Sequence, residues 1–233
     1  MDRRSTIFLI GYISIVLLDL VFGASGADRL RVFSKPLILI SLILYFVYNG
    51  GQLPKKIFIY TLLALCFSLL GDIMLLFDHR SPSFFMLGLI AFLLAHIAYT
   101  LVFLKQGNKA PIKRSWWVLV SLVGYGLILY IVLMDHLAAL KIPVVIYITA
   151  ILAMALTAHN RKGKVDGPSF ISILIGALFF IVSDSVLAIN KFLFAVPGAH
   201  LLIMGTYAAA QYMIVQGLLK SRERIVIEET SNH

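Results

Sequence analysis

The sequence predicts an all-α fold: a polytopic membrane bundle of eight transmembrane helices, both termini cytoplasmic. Three observations carry that expectation. Of 233 residues, 61% are hydrophobic and only 13% charged, against about half and about a quarter in a soluble domain. Mean hydropathy is +0.96. The apolar residues gather into eight runs separated by short punctuated connections, and a hydrocarbon core about 30 Å thick needs roughly 20 helical residues to cross it. A water-soluble globule, a disordered chain and a coiled coil are excluded. Cys66 is the single cysteine and lies inside an apolar run, which rules out an intrachain disulfide or a cysteine metal cluster.

The first run, 5–23, follows Asp2-Arg3-Arg4 and contains Asp19. Its length and that carboxylate argue for an uncleaved span rather than a signal peptide. The second, 33–49, carries Lys35-Pro36 near its start and stops at Gly50-Gly51 and Pro54; the third, 57–77, follows Lys55-Lys56 and holds Asp72. Ser81-Pro82 opens the fourth, 83–104, with His96 and Tyr99 inside it. Lys109 to Arg114 around Pro111 separates it from the fifth, 115–134, whose Trp116 and Trp117 are ordinary interface aromatics. Pro143 and Pro168 sit where a helix's first turn tolerates a missing N–H, and they open the sixth run, 142–158, and the seventh, 169–189. Pro197-Gly198 precedes the eighth, 199–219. Residues 1–219 therefore form one transmembrane domain and 220–233 a polar cytoplasmic tail.

Charge sets the orientation. The net charge is +9, and the N-terminus, the even-numbered loops and the tail hold fourteen of the twenty Lys and Arg, the odd-numbered loops six. The positive-inside rule places both termini in the cytoplasm, and a bacterial inner membrane is the expected location. Because the basic residues flank apolar runs, the charge speaks for a membrane and not for nucleic acid. Arg29, Arg31 and Lys35 nevertheless crowd the first outer loop.

An ionisable group at mid-bilayer costs roughly 2.5–3.5 kcal/mol on insertion scales, so such groups are candidates for function. Here they are Asp19, Lys35, Asp72, His96 and Asp184, with Tyr99, Asn190, Tyr207 and Gln211 as polar neighbours. Asp19, Asp72 and Asp184 each fall about five residues before the outer end of their run, roughly 8 Å down at 1.5 Å per residue, with Lys35 on the same side. Asp19 is expected to pair with Lys35 or Arg31. Asp72 and Asp184 share a small–Asp–x–apolar–Leu setting, Gly71 to Leu75 and Ser183 to Leu187. We expect them to converge on a common cavity. Tyr207 and Gln211, spaced i,i+4, share a helix face, as do His96 and Tyr99 at i,i+3.

At these residues the chain resembles the YhhN-like lysoplasmalogenase family of eight-span membrane proteins. The matching elements are Lys35-Pro36-Leu37; Ser68 to Asp72 with Leu75; Gly88 to Phe92, Ala95-His96 and Tyr99; Ser183-Asp184 with Leu187; and Tyr207 with Gln211. The resemblance implies hydrolysis of the vinyl ether bond of a lysoplasmalogen, giving a fatty aldehyde and a glycerophospho-ethanolamine or -choline. Such bonds break after an acid protonates the β-carbon, which leaves an oxocarbenium ion for water to attack. A low-dielectric site can keep one of two neighbouring carboxyls protonated and the other charged, as in glycosidases. Asp72 and Asp184 are the expected catalytic pair. Lys35, His96, Tyr99, Asn190, Tyr207 and Gln211 are the expected substrate-binding set. The expected partners are a lysophospholipid substrate and membrane lipids, with no cofactor. Catalytic zinc wants three protein ligands, and of the histidines only His96 lies deep. The alternative reading is a proton-coupled transporter or lipid-binding membrane protein using the same Asp, Lys and His groups.

Overall fold

A computed structural model describes residues 3–107 and 116–231, with backbone alone for Asp28 and for residues 222–231. Eight helices follow one another: α1 Arg3–Ala24, α2 Asp28–Asn49, α3 Lys55–Leu76, α4 Pro82–Gln106, α5 Trp116–Leu133, α6 Lys141–His159, α7 Gly167–Phe192 and α8 Ala199–Ser231. Two 3₁₀ turns, Met134–His136 and Ala138–Leu140, join α5 to α6. Among the described residues there is no strand, and eight helical stretches are long and apolar enough to cross a membrane. The loop expected around Pro111 lies outside the described residues, as do residues 232–233.

Local chemistry explains most of the ends. Ser81 accepts a hydrogen bond from the Ser83 N–H at 3.3 Å, with Pro82 opening α4. Asp166 does the same for Ser169 at 3.0 Å, with Pro168 in the first turn of α7. Such oxygens satisfy N–H groups that a helix start leaves without partners. After α1 the chain reverses within a few residues. Gly26 takes φ +68°, and the Ala27 N–H reaches the Phe22 carbonyl at 2.9 Å, the 6→1 closure of a left-handed helix cap.

Three boundaries differ from the sequence expectation. α2 starts at Asp28 rather than 33, so Arg29 and Arg31 are helical residues rather than loop ones. α7 continues to Phe192, three residues past the expected end. The α8 backbone stays helical through Ser231, well past the expected end at 219.

The tightest pairings are α7 with α8 and α3 with α4. A Cβ at Gly176 of α7 would stand 2.9 Å from the Ala210 carbonyl oxygen of α8; hydrogen in that place lets the backbones close, the usual device of membrane helices. Aromatic and aliphatic side chains such as Phe46, Leu65, Tyr99, Phe103 and Phe180 fill the interior, while Ile7, Phe33, Leu44, Ile128 and Ile142 point outward. Burial is uneven. Half of the α4 and α8 spans is buried, against 11% for α1 and for α5.

Arg161, between α6 and α7, is fully buried. Its Nε donates to Gln106 Oε1 at 3.0 Å and one terminal nitrogen to Ser169 Oγ at 2.9 Å, and the guanidinium rests 5.8 Å from the Phe103 ring centre. Burial pushes this guanidinium down to about 10, with nearby Asp166 acting in the opposite sense.

Candidate active site

Five helices, α3 to α7, line a cavity of about 50 Å³ whose walls are hydrocarbon, among them Leu75, Phe85, Leu89, Phe92, Leu129, Leu133, Ile148, Ile151 and Ile181. Its polar lining is Tyr125, Tyr147, Asp184 and Ser185. Ile148 and Leu152 also belong to a second, wider apolar cleft of about 480 Å³ between α5 and α6.

Asp184 heads the first cavity. Tyr147 donates its phenol proton to Asp184 Oδ2 in a hydrogen bond. His96 Nε2 lies 3.2 Å from the same oxygen and 3.1 Å from the Tyr147 hydroxyl. One carboxyl, one phenol and one imidazole thus converge from α7, α6 and α4. His96 is fully buried and its Nδ1 has no hydrogen-bond partner among the described residues. The Asp184 side chain keeps 13% of its surface open, against 2% for Asp72, so Asp184 is the carboxyl that a molecule in the cavity would meet.

Asp72 belongs to a neighbouring cluster. Lys35 Nζ stands 3.3 Å from its Oδ1, and Tyr207 donates to its Oδ2 at 2.7 Å. One turn further along α8, Gln211 donates to Ser68 at 2.9 Å and accepts from the Tyr99 hydroxyl at 2.6 Å. This network leaves both Asp72 oxygens engaged, as a carboxylate buried in a membrane bundle requires.

The two carboxylates therefore share no partner among the described residues, and Asp72 does not line the cavity that Asp184 heads. Phe180 packs edge-to-face against a ring of each cluster, 4.8 Å from His96 and 5.5 Å from Tyr207. Counted to the ends of their helices, the two also stand at different distances. Asp72 precedes the end of α3 by four residues and Asp184 the end of α7 by eight, roughly 6 and 12 Å at helical rise. The extra turn of α7 makes the difference.

Of the other expected residues, Lys35, Tyr99, Tyr207 and Gln211 gather around Asp72, and His96 joins Asp184. Asn190 joins neither; its side-chain oxygen accepts from the Val196 N–H at 3.0 Å and closes the turn after α7. Asp19 takes Arg31 at 3.9 Å and His200 at 3.5 Å, with Ser34 donating at 2.7 Å. Sequence reasoning missed Tyr147. The available signal was a phenol in an otherwise apolar run, which must find a hydrogen-bond partner once buried.

Ionisable side chains at the head of an apolar cavity, inside eight membrane-length helices, mark an integral multi-pass membrane protein. The chain belongs to the YhhN family, whose model matches residues 30–218. It is 30% identical to the human Lysoplasmalogenase TMEM86A over 162 residues, 69% of this chain and 65% of that protein. It is 31% identical to Lysoplasmalogenase TMEM86B of Rattus norvegicus over 191 residues, 80% of this chain and 71% of the relative. The Lysoplasmalogenase of Mycobacterium tuberculosis is 32% identical over 165 residues, 69% of this chain and 60% of its own length. The chain thus spans just under two thirds of the human relative's length. No solved structure matches it.

Proposed function

We propose that this chain hydrolyses the vinyl ether bond of lysoplasmalogens, releasing a fatty aldehyde and the glycerophospho-ethanolamine or -choline. The observation that carries the reading is Asp184, hydrogen-bonded by Tyr147 and His96, at the polar head of a hydrocarbon-walled cavity. Relatives named lysoplasmalogenase support it.

The alkenyl chain lies along the apolar walls, which brings the vinyl ether to Asp184. The Asp184 carboxyl transfers its proton to the β-carbon, and the ether oxygen's electrons stabilise the resulting oxocarbenium ion, now facing a carboxylate. Water adds to the cationic carbon and returns a proton to Asp184. The hemiacetal then collapses, with its hydroxyl proton passing to the leaving glycerol oxygen. Tyr147 and His96, both within hydrogen-bonding reach of the same carboxyl oxygen, hold and exchange these protons. Asp72 remains the anionic partner of Lys35. With Tyr207, Tyr99, Gln211 and Ser68 it forms a buried network that ties α3, α4 and α8 together beside the cavity, and it does not deliver the proton itself.

We place the protein in a bacterial inner membrane with cytoplasmic termini, a reading supported by the Lys and Arg bias between the two faces. The decisive assay incubates the purified protein with an alkenyl lysolipid beside its saturated ether analogue and follows aldehyde. Only the alkenyl compound can be protonated at carbon. Aldehyde from it alone is the expected result, and no aldehyde from either compound would overturn the reading.

A further inference from the structure

A third concavity, about 390 Å³, lies where α2 begins and α3 ends. Arg29, Arg31, Lys35, Asp78, His79 and Arg80 line it. Its character differs from the hydrocarbon cavity behind it, and three observations bear on what it takes.

The first is charge. Asp78 is engaged by Lys191 at 2.8 Å, Asp19 stands 3.9 Å from Arg31 and Asp72 stands 3.3 Å from Lys35. Among the described side chains, the five cations Arg29, Arg31, Lys35, Arg80 and Lys191 meet the three carboxylates Asp19, Asp72 and Asp78. Positive charge is left over. The second is placement. These cations sit on the face poorer in Lys and Arg, against the bias that orients membrane helices, so insertion does not account for them there. The third is preorganisation. The Arg80 guanidinium lies 4.8 Å over the Phe77 ring, a cation–π contact that fixes its direction, and Lys35 forms a nearly buried base only 6% exposed.

We propose that this mouth binds the phosphodiester of the lysolipid head group, with Arg29 and Arg80 as guanidinium ligands above the Lys35 ammonium. The proposal rests on the vinyl ether reading and deepens it. Guanidinium groups suit phosphate oxygens because paired N–H donors match their spacing. Leu75 supplies a wall common to the mouth and to the cavity headed by Asp184. A phosphate in one and an alkenyl chain in the other can therefore belong to one molecule, bridged by glycerol over roughly 6 Å of single bonds. Lys35 touches both sides of this arrangement, since it lines the mouth and pairs with Asp72. Head-group charge and the Asp72 network are thereby coupled through one ammonium.

The test compares full-length wild type with the double variant Arg29→Gln/Arg80→Gln in nanodiscs of neutral lipid. Substrates are an alkenyl lysophosphoethanolamine and the matching 1-alkenylglycerol, which lacks the phosphate. The double variant should raise KM for the phosphodiester about tenfold, the loss of about 1.4 kcal/mol of binding, while KM for the alkenylglycerol moves by less than about twofold. Equal shifts for both substrates, or none, would overturn the proposal. A binding arm separates it from the hydrolytic reading by measuring affinity for a saturated alkyl lysophosphoethanolamine and for its phosphate-free alkylglycerol. Preference for the phosphodiester in wild type, lost in the double variant, supports the mouth even if no aldehyde is formed. Inorganic phosphate alone, binding as tightly as the lysolipid, would overturn the head-group assignment in favour of a free-anion site.

Discussion

Asp184 and Asp72 are both aspartates beside a small residue, yet their surroundings differ. Asp184 keeps one face toward the cavity and shares a single oxygen with Tyr147 and His96, whereas Asp72 is closed in by Lys35 and Tyr207. Asp184→Asn should lower kcat by about 10³-fold or more, within the range general acid catalysis contributes, in a protein whose circular dichroism is unchanged. Tyr147→Phe removes one proton-carrying group and leaves the carboxyl. Its kcat should fall about 10-fold to 10²-fold, and its pH profile should change shape. Stopped-flow aldehyde detection across pH reads both. Arg161 offers a stability test away from the chemistry. Ser169→Ala leaves the buried guanidinium short of a partner and should cost about 2–3 kcal/mol, whereas Arg161→Met removes the charge along with its need and should cost about 1 kcal/mol or less. Thermal unfolding of the two variants in one detergent decides between them. The residue types were legible in the sequence because a lone carboxylate, imidazole or ammonium in an apolar run stands out. The pairings were not. Depth along a helix follows from counting residues, but the direction a side chain faces depends on helix rotation, which packing decides. That is why Asp72 and Asp184 read as partners in one dimension and belong to separate clusters in three.

At the scale of the helix, the sequence located every span and erred where polar residues are drawn into helices. α2 begins five residues before its apolar run and takes in Arg29 and Arg31, and α7 outlasts its run by nearly a turn. Close approach was visible only as isolated glycines. A side chain at Gly176 would meet α8 backbone at Ala210 and Ile214 as well as the Ile214 side chain, so Gly176→Leu must force α7 and α8 apart. Overpacking of this kind costs about 1–3 kcal/mol, occasionally more, and should appear as a lowered unfolding temperature together with reduced turnover, because α7 carries Asp184 and α8 carries Tyr207. α5 is held differently. It contributes Leu129 to the cavity headed by Asp184 and faces the wider α5–α6 cleft. Leu129→Trp narrows the route of the alkenyl chain and should shift preference toward shorter chains, read as the ratio of kcat/KM for short and long alkenyl lysolipids.

For the molecule as a whole, composition sufficed for the class: an integral bundle of eight helices followed from length, hydropathy and punctuation. An even number of crossings returns both ends of the chain to one face, and charge counting proposes which face that is. A cysteine placed near the N-terminus should resist an impermeant thiol reagent in intact cells and react once the membrane is opened. The uneven burial of the bundle has a practical side. α5 is mostly lipid-facing, so the lateral pressure of surrounding acyl chains presses it against its neighbours more than side-chain interlocking does. Harsh, short-chain detergents should loosen that one wall first. Turnover would then fade at surfactant concentrations where far-ultraviolet ellipticity still reports intact helices, and returning the protein to lipid should restore it.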